Sequence, residues 1–371
     1  MKQRFKKHVA LTLISLMLLS LIGCGKPAST DTTTTTETAV TEAPAASISD
    51  AATTADSTPA DASEEGSDAQ TIYPVTVTDQ AGREVTIEKE PESIVSGYYI
   101  STSLLLALGL KDKVTGIEAK ADKRPIYKLA APEFLELPNV GTAKEFDLET
   151  CASLSPELVI LPMKLKDAAQ SLSELDIPVL LVNPESEDQL EQMIELVSTA
   201  TNTKENADVL LSYIDEKKEM LEKDLSGVDA KSVYLAGNSS LLSTAGPAMY
   251  QSGLIELAGG KNAASEITDT YWAEISYEQL LAWDPSYIIL ASDAEYTPED
   301  VLNDENLKEC TAVKNGNVYA IPGDIEALDS PVPGGILASI WLAGILHPDQ
   351  VSADMYTEEK AAFYETFYGI K

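Results

Sequence analysis

Histidine is almost absent from this chain. Only two of the 371 residues are histidine, and His8 lies in an N-terminal targeting segment. His347 stands beside a proline, a setting that favours a surface or packing role. Zinc sites and Ser-His or Cys-His catalytic pairs need histidine in suitable company. The scarcity therefore argues against a site for a bare transition-metal ion and against catalysis of that type.

Cysteine is also scarce, with three residues in the whole chain. Cys24 belongs to the N-terminal segment. Cys151 and Cys310 are far apart in the sequence and fall in different lobes of the fold predicted below. We therefore predict two separate buried thiols rather than a disulfide.

Several motifs that are typical of enzymes are missing. The chain has no GxSxG nucleophile elbow, no GxxxxGK[ST] phosphate loop and no GxGxxG after a strand. Carboxylates are abundant, so a cell-surface glycosidase with paired acidic residues stays open, as does an adhesin or sensor module. We predict that the protein is not an enzyme and needs no cofactor.

Basic residues are outnumbered, with 26 Lys and Arg against 60 Asp and Glu and a formal net charge of −34. Four of the basic residues, Lys2, Arg4, Lys6 and Lys7, lie at the N-terminus, so removal of that segment leaves a still more acidic chain. This balance argues against nucleic acid or an anionic membrane surface as a direct partner.

Residues 1–23 have the composition of a targeting signal. A basic start is followed by an apolar run at residues 9–22, shorter than the roughly 20 residues of a membrane-spanning helix. The run ends in LIGC at residues 21–24, which resembles a bacterial lipobox. The resemblance implies cleavage before Cys24, a lipid on its sulfur, and anchoring to the outer face of the cell membrane.

Residues 24–70 are rich in Thr, Ala, Ser, Asp, Glu and Pro. With almost no large apolar side chain, this stretch does not bury enough surface to offset its ordering entropy. We predict a disordered tether that spans about 35–40 Å on average.

The rest of the chain is long enough for two domains. Short apolar runs alternate with helical patterns, which favours parallel sheets covered by helices. The runs are ESIVSG, KVTGIE, LVILP, VLLVN, SVYLAG, YIILAS and NVYAIP.

One long helical pattern lies near the middle of the folded part. Its apolar residues share one face and Gly227 follows it: Ala207, Leu210, Leu211, Ile214, Leu221 and Leu225. We predict a helix at residues 203–226 that joins an N-terminal lobe, residues 71–202, to a C-terminal lobe, residues 227–371.

The sequence repeats weakly on either side of that helix. FDLETCASLSPELVIL at residues 146–161 matches ISYEQLLAWDPSYIIL at residues 275–290, which pairs Glu149 with Glu278. LLLALG at residues 104–109 likewise matches LIELAG at residues 254–259. The repeat indicates two lobes of similar plan. Ligands of open α/β sheets lie at the carboxyl ends of the strands, so we expect a cleft between the lobes.

These segments, with VTVTDQAGREVTIEKEPESIVS and IELAGGKN, resemble the iron-siderophore and cobalamin class of periplasmic binding proteins over about residues 73–371. The resemblance implies two Rossmann-like α/β lobes joined by one helix. It also implies a monomer that delivers a small ligand to an ABC permease and its ATPase. Members carry an exposed Glu on each lobe that pairs with permease arginines. Glu256 matches the second-lobe position, whereas Ser103 stands at the first-lobe position.

Loops after the predicted strands supply the candidate ligand contacts, namely Tyr98, Tyr99, Arg124, Lys144, Lys164, Tyr250, Tyr271, Trp272 and Glu326. Aromatic faces suit a flat or apolar chelate, and cations suit an anionic one. Trp272 is the strongest single candidate. We predict that the ligand is a metal chelate whose chelator supplies the metal's ligands. A ferric siderophore is the first choice, with a corrinoid, haem or an oxyanion as alternatives.

Overall fold

The computed structural model describes residues 70–268, 270 and 272–371. The predicted signal, Cys24, nearly all of the predicted tether and Tyr271 lie outside these residues. Among the described helices, none has both the length and the apolar character that a membrane crossing requires.

Two parallel four-stranded sheets form the centres of two lobes. Two short antiparallel pairs accompany them. The strands are β1 Val75–Thr78, β2 Glu84–Ile87, β3 Ile94–Ser96, β4 Val114–Gly116, β5 Leu158–Pro162, β6 Val179–Val182, β7 Lys231–Ala236, β8 Ser243–Ala245, β9 Gly260–Asn262, β10 Trp272–Glu274, β11 Tyr287–Leu290 and β12 Val318–Ala320.

The two sheets have the same strand order. The first reads β4-β3-β5-β6 and the second reads β9-β7-β11-β12, so each is 2-1-3-4 when its strands are counted along the chain. Strands β5 and β6 are buried at every position, as expected for parallel strands covered on both faces. The shared order agrees with the repeat predicted from the sequence.

Helices cover both sheets. They are α1 Tyr99–Ala107, α2 Pro125–Ala130, α3 Leu148–Ser153, α4 Lys166–Ser173, α5 Glu187–Thr201, α6 Lys204–Asp224, α7 Tyr250–Leu257, α8 Tyr277–Trp283, α9 Pro298–Leu302, α10 Thr311–Asn315, α11 Ile336–Leu346 and α12 Ala353–Tyr368.

Helix α6, the longest described helix, lies in the chain between the two sheets and confirms the predicted connecting helix. Its buried face contains Ala207, Leu210, Ile214 and Leu221, which belong to the predicted apolar stripe. Gly227 follows with φ of +80°, a backbone conformation that glycine adopts without steric cost. The apolar stripe therefore predicts the buried face of α6, and the glycine predicts where the helix ends.

All seven predicted apolar runs contain strands, but β8, β9 and β10 lie outside those runs. The residues of β9, Gly260–Asn262, include no β-branched or aromatic side chain, so the sequence pattern gives no strand signal there. A Cβ atom at position 260 would lie 2.8 Å from Cγ2 of Ile255, so helix α7 packs closely against this strand. Close packing of backbone rather than side-chain propensity therefore defines β9.

The cysteines outside the N-terminal segment and the second histidine are packing residues. Cys151 and Cys310 are free and buried in separate clusters, as predicted. Burial raises the pKa of Cys151 to about 12. His347 is buried, and its Nε2 lies 2.9 Å from the carbonyl oxygen of Gly259.

Candidate functional site

The carboxyl ends of strands from both sheets meet at a cavity of about 520 Å³ between the lobes. Tyr98 and Tyr99 follow β3 and Glu185 follows β6, whereas Asn238 follows β7. The described residues that line the cavity are Tyr98, Tyr99, Ile100, Glu185, Asn238, Ser239, Ser240, Ser243, Gln251, Trp272, Glu274, Asp329, Ser330 and Pro331. This position is where ligands bind in α/β folds of this kind.

Tyr98 and Tyr99 form the aromatic wall that the first lobe contributes. Their rings meet edge to face with centroids 5.3 Å apart. The Tyr99 hydroxyl donates a hydrogen bond of 2.9 Å to Oγ of Ser330 in the second lobe. Arg124 stacks on the Tyr99 ring, with Cζ 4.0 Å from the ring centroid. Burial raises the pKa of both tyrosines, so both hydroxyls stay protonated at neutral pH.

Trp272 is the aromatic side chain that the second lobe contributes. Strand β10 pairs with β8 and presents Trp272 with 40% of its surface exposed. A Cβ atom at position 237 would lie 3.0 Å from the indole Cζ3, so Gly237 leaves room for the ring. An exposed indole inside a cavity offers a large apolar face to a ligand.

Polar groups complete the cavity. Gln251 is 7% exposed, and its Nε2 donates a 2.8 Å hydrogen bond to the carbonyl oxygen of Asp329. Its Oε1 is buried and has no hydrogen-bond partner among the described residues. The Asp329 carboxylate accepts hydrogen bonds from the hydroxyl and the amide of Ser292. Burial raises the pKa of Asp329.

A second cavity of about 720 Å³ adjoins the first, since Tyr98 and Tyr99 line both. This second cavity is lined by both basic and acidic side chains. Its basic residues are Lys120, Lys123 and Arg124, and its acidic residues are Glu118, Asp293 and Glu295. Arg124 reaches across the lobes, with a guanidinium nitrogen 4.0 Å from an Asp293 carboxylate oxygen. The tyrosine pair therefore separates two parts of the cleft that differ in charge.

Four predicted ligand contacts, Lys144, Lys164, Tyr250 and Glu326, lie away from both cavities. Lys144 and Lys164 are exposed and line neither of them. Tyr250 is 2% exposed and packs against Gly335, where a Cβ atom would lie 2.0 Å from the tyrosine hydroxyl. Tyr250 begins α7 with its ring in the core, and the next residue, Gln251, lines the cavity instead.

Glu326 and Ser103 contact each other, although the sequence assigned them different roles. The Ser103 hydroxyl donates to Oε1 of Glu326, and the Tyr364 hydroxyl donates to Oε2 at 3.2 Å. Burial raises the pKa of Glu326 to about 7. Ser103 is 2% exposed, which leaves it no surface for a permease and corrects its assignment to a docking position. Glu256 is exposed on α7.

Several cavity residues were missed at the sequence level. Glu185, Gln251, Glu274, Asp329 and Ser330 line the cavity, but none was a candidate. Glu185 follows the strand VLLV, and Asp329 and Ser330 lie in the segment IPGDIEALDSP, so loops after strands did contain a usable signal. In the part of the chain that the structure describes, no three His, Cys, Asp or Glu residues are placed to hold a metal ion.

Two α/β lobes, one connecting helix and a cavity at the strand ends define a class of two-lobed binding proteins. The profile of the family described as "Periplasmic binding protein" matches residues 94–325, and the chain belongs to that family. Proteins of this family bind small ligands outside the cytoplasm and deliver them to ABC permeases. The family confirms the predicted fold and the prediction that the protein is not an enzyme.

Individual relatives agree with this placement. The chain is 28% identical over 273 residues to the uncharacterized ABC transporter substrate-binding lipoprotein YvrC of Bacillus subtilis, covering 70% of this chain and 82% of YvrC. It is 24% identical over 319 residues to the molybdate-binding protein MolA of Haemophilus influenzae, and the match covers 79% of this chain and 90% of MolA. The solved structure of a periplasmic solute binding protein from Veillonella parvula superposes with a TM-score of 0.71 at 26% identity. The superposition covers 80% of this chain and 93% of the other.

Proposed function

We propose that this protein captures a metal chelate, a ferric siderophore or a corrinoid, and delivers it to an ABC import permease. The observation that carries the proposal is that aromatic side chains from both lobes line one cavity. Tyr98 and Tyr99 come from one lobe and Trp272 from the other. The volume of about 520 Å³ suits a small-molecule ligand. Since the chelator supplies the metal's ligands, the cleft needs no cluster of histidines or cysteines.

A small oxyanion is the weaker candidate. The relative MolA is named as a molybdate-binding protein. In this chain, however, a compact oxyanion would leave most of the cavity empty, and it would face the carboxylates of Glu185, Glu274 and Asp329. Like charges at close range in a partly desolvated site repel strongly. The geometry therefore favours the larger chelate.

Delivery to the permease requires a contact on each lobe. Besides Glu256, two exposed glutamates occupy equivalent positions of the repeat. Glu149 lies in the first turn of α3 and Glu278 in the first turn of α8. We propose that Glu149 and Glu278 present matched negative charges to basic residues of the permease, in place of the buried Ser103.

Attachment to the membrane is part of the proposal. LIGC at residues 21–24 resembles a lipobox, and the relative YvrC is named as a lipoprotein. We propose that a lipid on Cys24 holds the protein at the outer face of the membrane.

The test is a ligand screen with the purified chain. Ferric siderophores, cyanocobalamin, haem and molybdate are compared by thermal denaturation and by quenching of tryptophan fluorescence. We expect at least one chelate to raise the melting temperature and quench the fluorescence, while molybdate does neither. Stabilisation by molybdate alone would overturn the proposal.

A further inference from the structure

The charged side chains around the cavity that contains Trp272 have one sign. Glu185, Glu274 and Asp329 line it, and no Lys, Arg or His is among the described lining residues. The cavity therefore offers a negative field to whatever enters it.

Asp329 is the most buried of these acids. Its carboxylate accepts hydrogen bonds from Ser292, and no described Lys, Arg or His forms an ion pair with it. A buried carboxylate without a cation costs free energy that an incoming positive group would offset. Burial also raises the pKa of Glu185.

Gln251 gives an independent indication of what the cavity binds. Its amide nitrogen is held by the carbonyl oxygen of Asp329, which fixes the orientation of the side chain. Its Oε1 is left buried without a partner among the described residues. An unpartnered buried acceptor is unfavourable, so a ligand that donates a hydrogen bond there gains affinity.

The basic residues of the cleft lie on the other side of the tyrosine pair. Lys120, Lys123 and Arg124 line the second cavity and not the first. The guanidinium of Arg124 is engaged by the Tyr99 ring and lies near Asp293. Its charge is therefore partly compensated within the protein.

We infer that the cavity beside Trp272 selects chelates of positive or zero net charge that donate hydrogen bonds from their periphery, and that it discriminates against anionic chelates. This inference rests on the proposed function, because it specifies which metal chelates the same cleft accepts. Glu185, Glu274 and Asp329 determine the selectivity, and Gln251 accepts a hydrogen bond from the ligand.

The experiment uses three ferric hydroxamates that share one core and differ in a single pendant group. Ferrioxamine B carries an ammonium group, its N-acetyl derivative is neutral there, and its N-succinyl derivative carries a carboxylate. Binding to the full-length chain in detergent is measured by titration calorimetry. If the protein prefers corrinoids, aquocobalamin, cyanocobalamin and a cyanocobalamin monocarboxylic acid give the same charge series.

We expect affinity to fall from the cation to the neutral form to the anion, by about ten-fold for each step. Glu274→Gln removes one exposed charge from the cavity and should reduce the ratio of cation to anion affinity by about five- to ten-fold. Glu358→Gln is the matched control, since this exposed glutamate of α12 lies outside both cavities and should leave the ratio unchanged.

The outcomes separate this inference from the function on which it rests. Tight binding of a chelate with equal affinity across the charge series, or a preference for the anion, overturns the charge selectivity and leaves the proposed function in place. Failure of every ferric chelate, corrinoid and haem to bind overturns the proposed function and the inference with it.

Discussion

The hydroxyl of Ser103 donates a hydrogen bond to the carboxylate of Glu326 and so joins helix α1 of the first lobe to the loop after β12 in the second. Tyr364 donates to the same carboxylate at 3.2 Å, and the Tyr368 hydroxyl lies 2.9 Å from Oγ of Ser103. Glu326 is 5% exposed, and no described cation forms an ion pair with it. The contact between the lobes therefore depends on how a buried carboxyl group is protonated.

Protonation of Glu326 should affect the free energy of unfolding. Burial raises its pKa in the folded state to about 7 from an ordinary value of 4.5. The folded state therefore holds a proton that the unfolded state has lost, and the contribution of Glu326 to stability declines as the pH rises from about 4.5 to about 7. We expect Glu326→Gln to match the parent near pH 4.5. At pH 8 it should be more stable by about 1–3 kcal/mol.

Urea denaturation of the parent and the variant at both pH values measures this difference. Comparison with the parent is needed because burial also raises the pKa of Glu118, Glu187 and Asp329. A variant that is less stable than the parent at pH 8 would show that the ionised carboxylate is the form that stabilises the contact.

Trp272 should provide a large part of the ligand affinity. Its exposed indole is the aromatic surface that the second lobe brings to the cavity. We expect Trp272→Ala to weaken chelate binding by about ten- to a hundred-fold. Trp283→Phe is the control, because Trp283 packs against Tyr234 and lies outside the cavity. Fluorescence titration that finds equal affinity in parent and Trp272→Ala would remove this residue from the site.

Docking on the permease should require the exposed glutamates. The double variant Glu149→Gln/Glu278→Gln removes one charge from each lobe, and neither residue lines a cavity. We expect uptake by cells to fall at least about five-fold while the dissociation constant of the ligand stays unchanged. Glu256→Ala, measured alongside, should also reduce uptake. Normal uptake by either variant would exclude the residues it replaces from docking.

Cys24 should determine where the protein is found. With the thiol replaced in Cys24→Ala, no sulfur is present to carry the lipid, so we expect release into the soluble fraction or accumulation of the unprocessed chain. Fractionation and immunoblotting distinguish these forms. Retention of a processed chain at the membrane would disprove lipid anchoring through Cys24.

Much of the fold was predictable because its signals are local. Strands β5 and β6 are continuous apolar runs, and α6 has a regular apolar stripe that ends before a glycine. The repeat predicted two lobes of the same plan, and the sheets share a strand order. Tyr98 and Tyr99 were identified because they follow strand β3, where the cleft forms, whereas Trp272, which was predicted in a loop, begins strand β10.

The residues that the sequence misplaced depend on tertiary packing. Tyr250 and Gln251 are neighbours at the start of α7, and only the packing of that helix determines which of them faces the cavity. One residue rotates a helical side chain by about 100°. Ser103 lies on α1, where every residue from Ile100 to Ala107 is buried, so no polar face distinguished surface from interior.

The two buried thiols make lobe movement accessible to spectroscopy. Cys151 and Cys310 pack in separate clusters, one in each lobe, and burial raises the pKa of both. The thiolate is the form that attacks alkylating reagents, so neither native cysteine should react at neutral pH. In a Cys24→Ala background, a cysteine introduced on the surface of each lobe can carry a fluorophore or a spin label without removal of the native ones. The distance between the two labels then reports directly on how far the lobes close around a ligand.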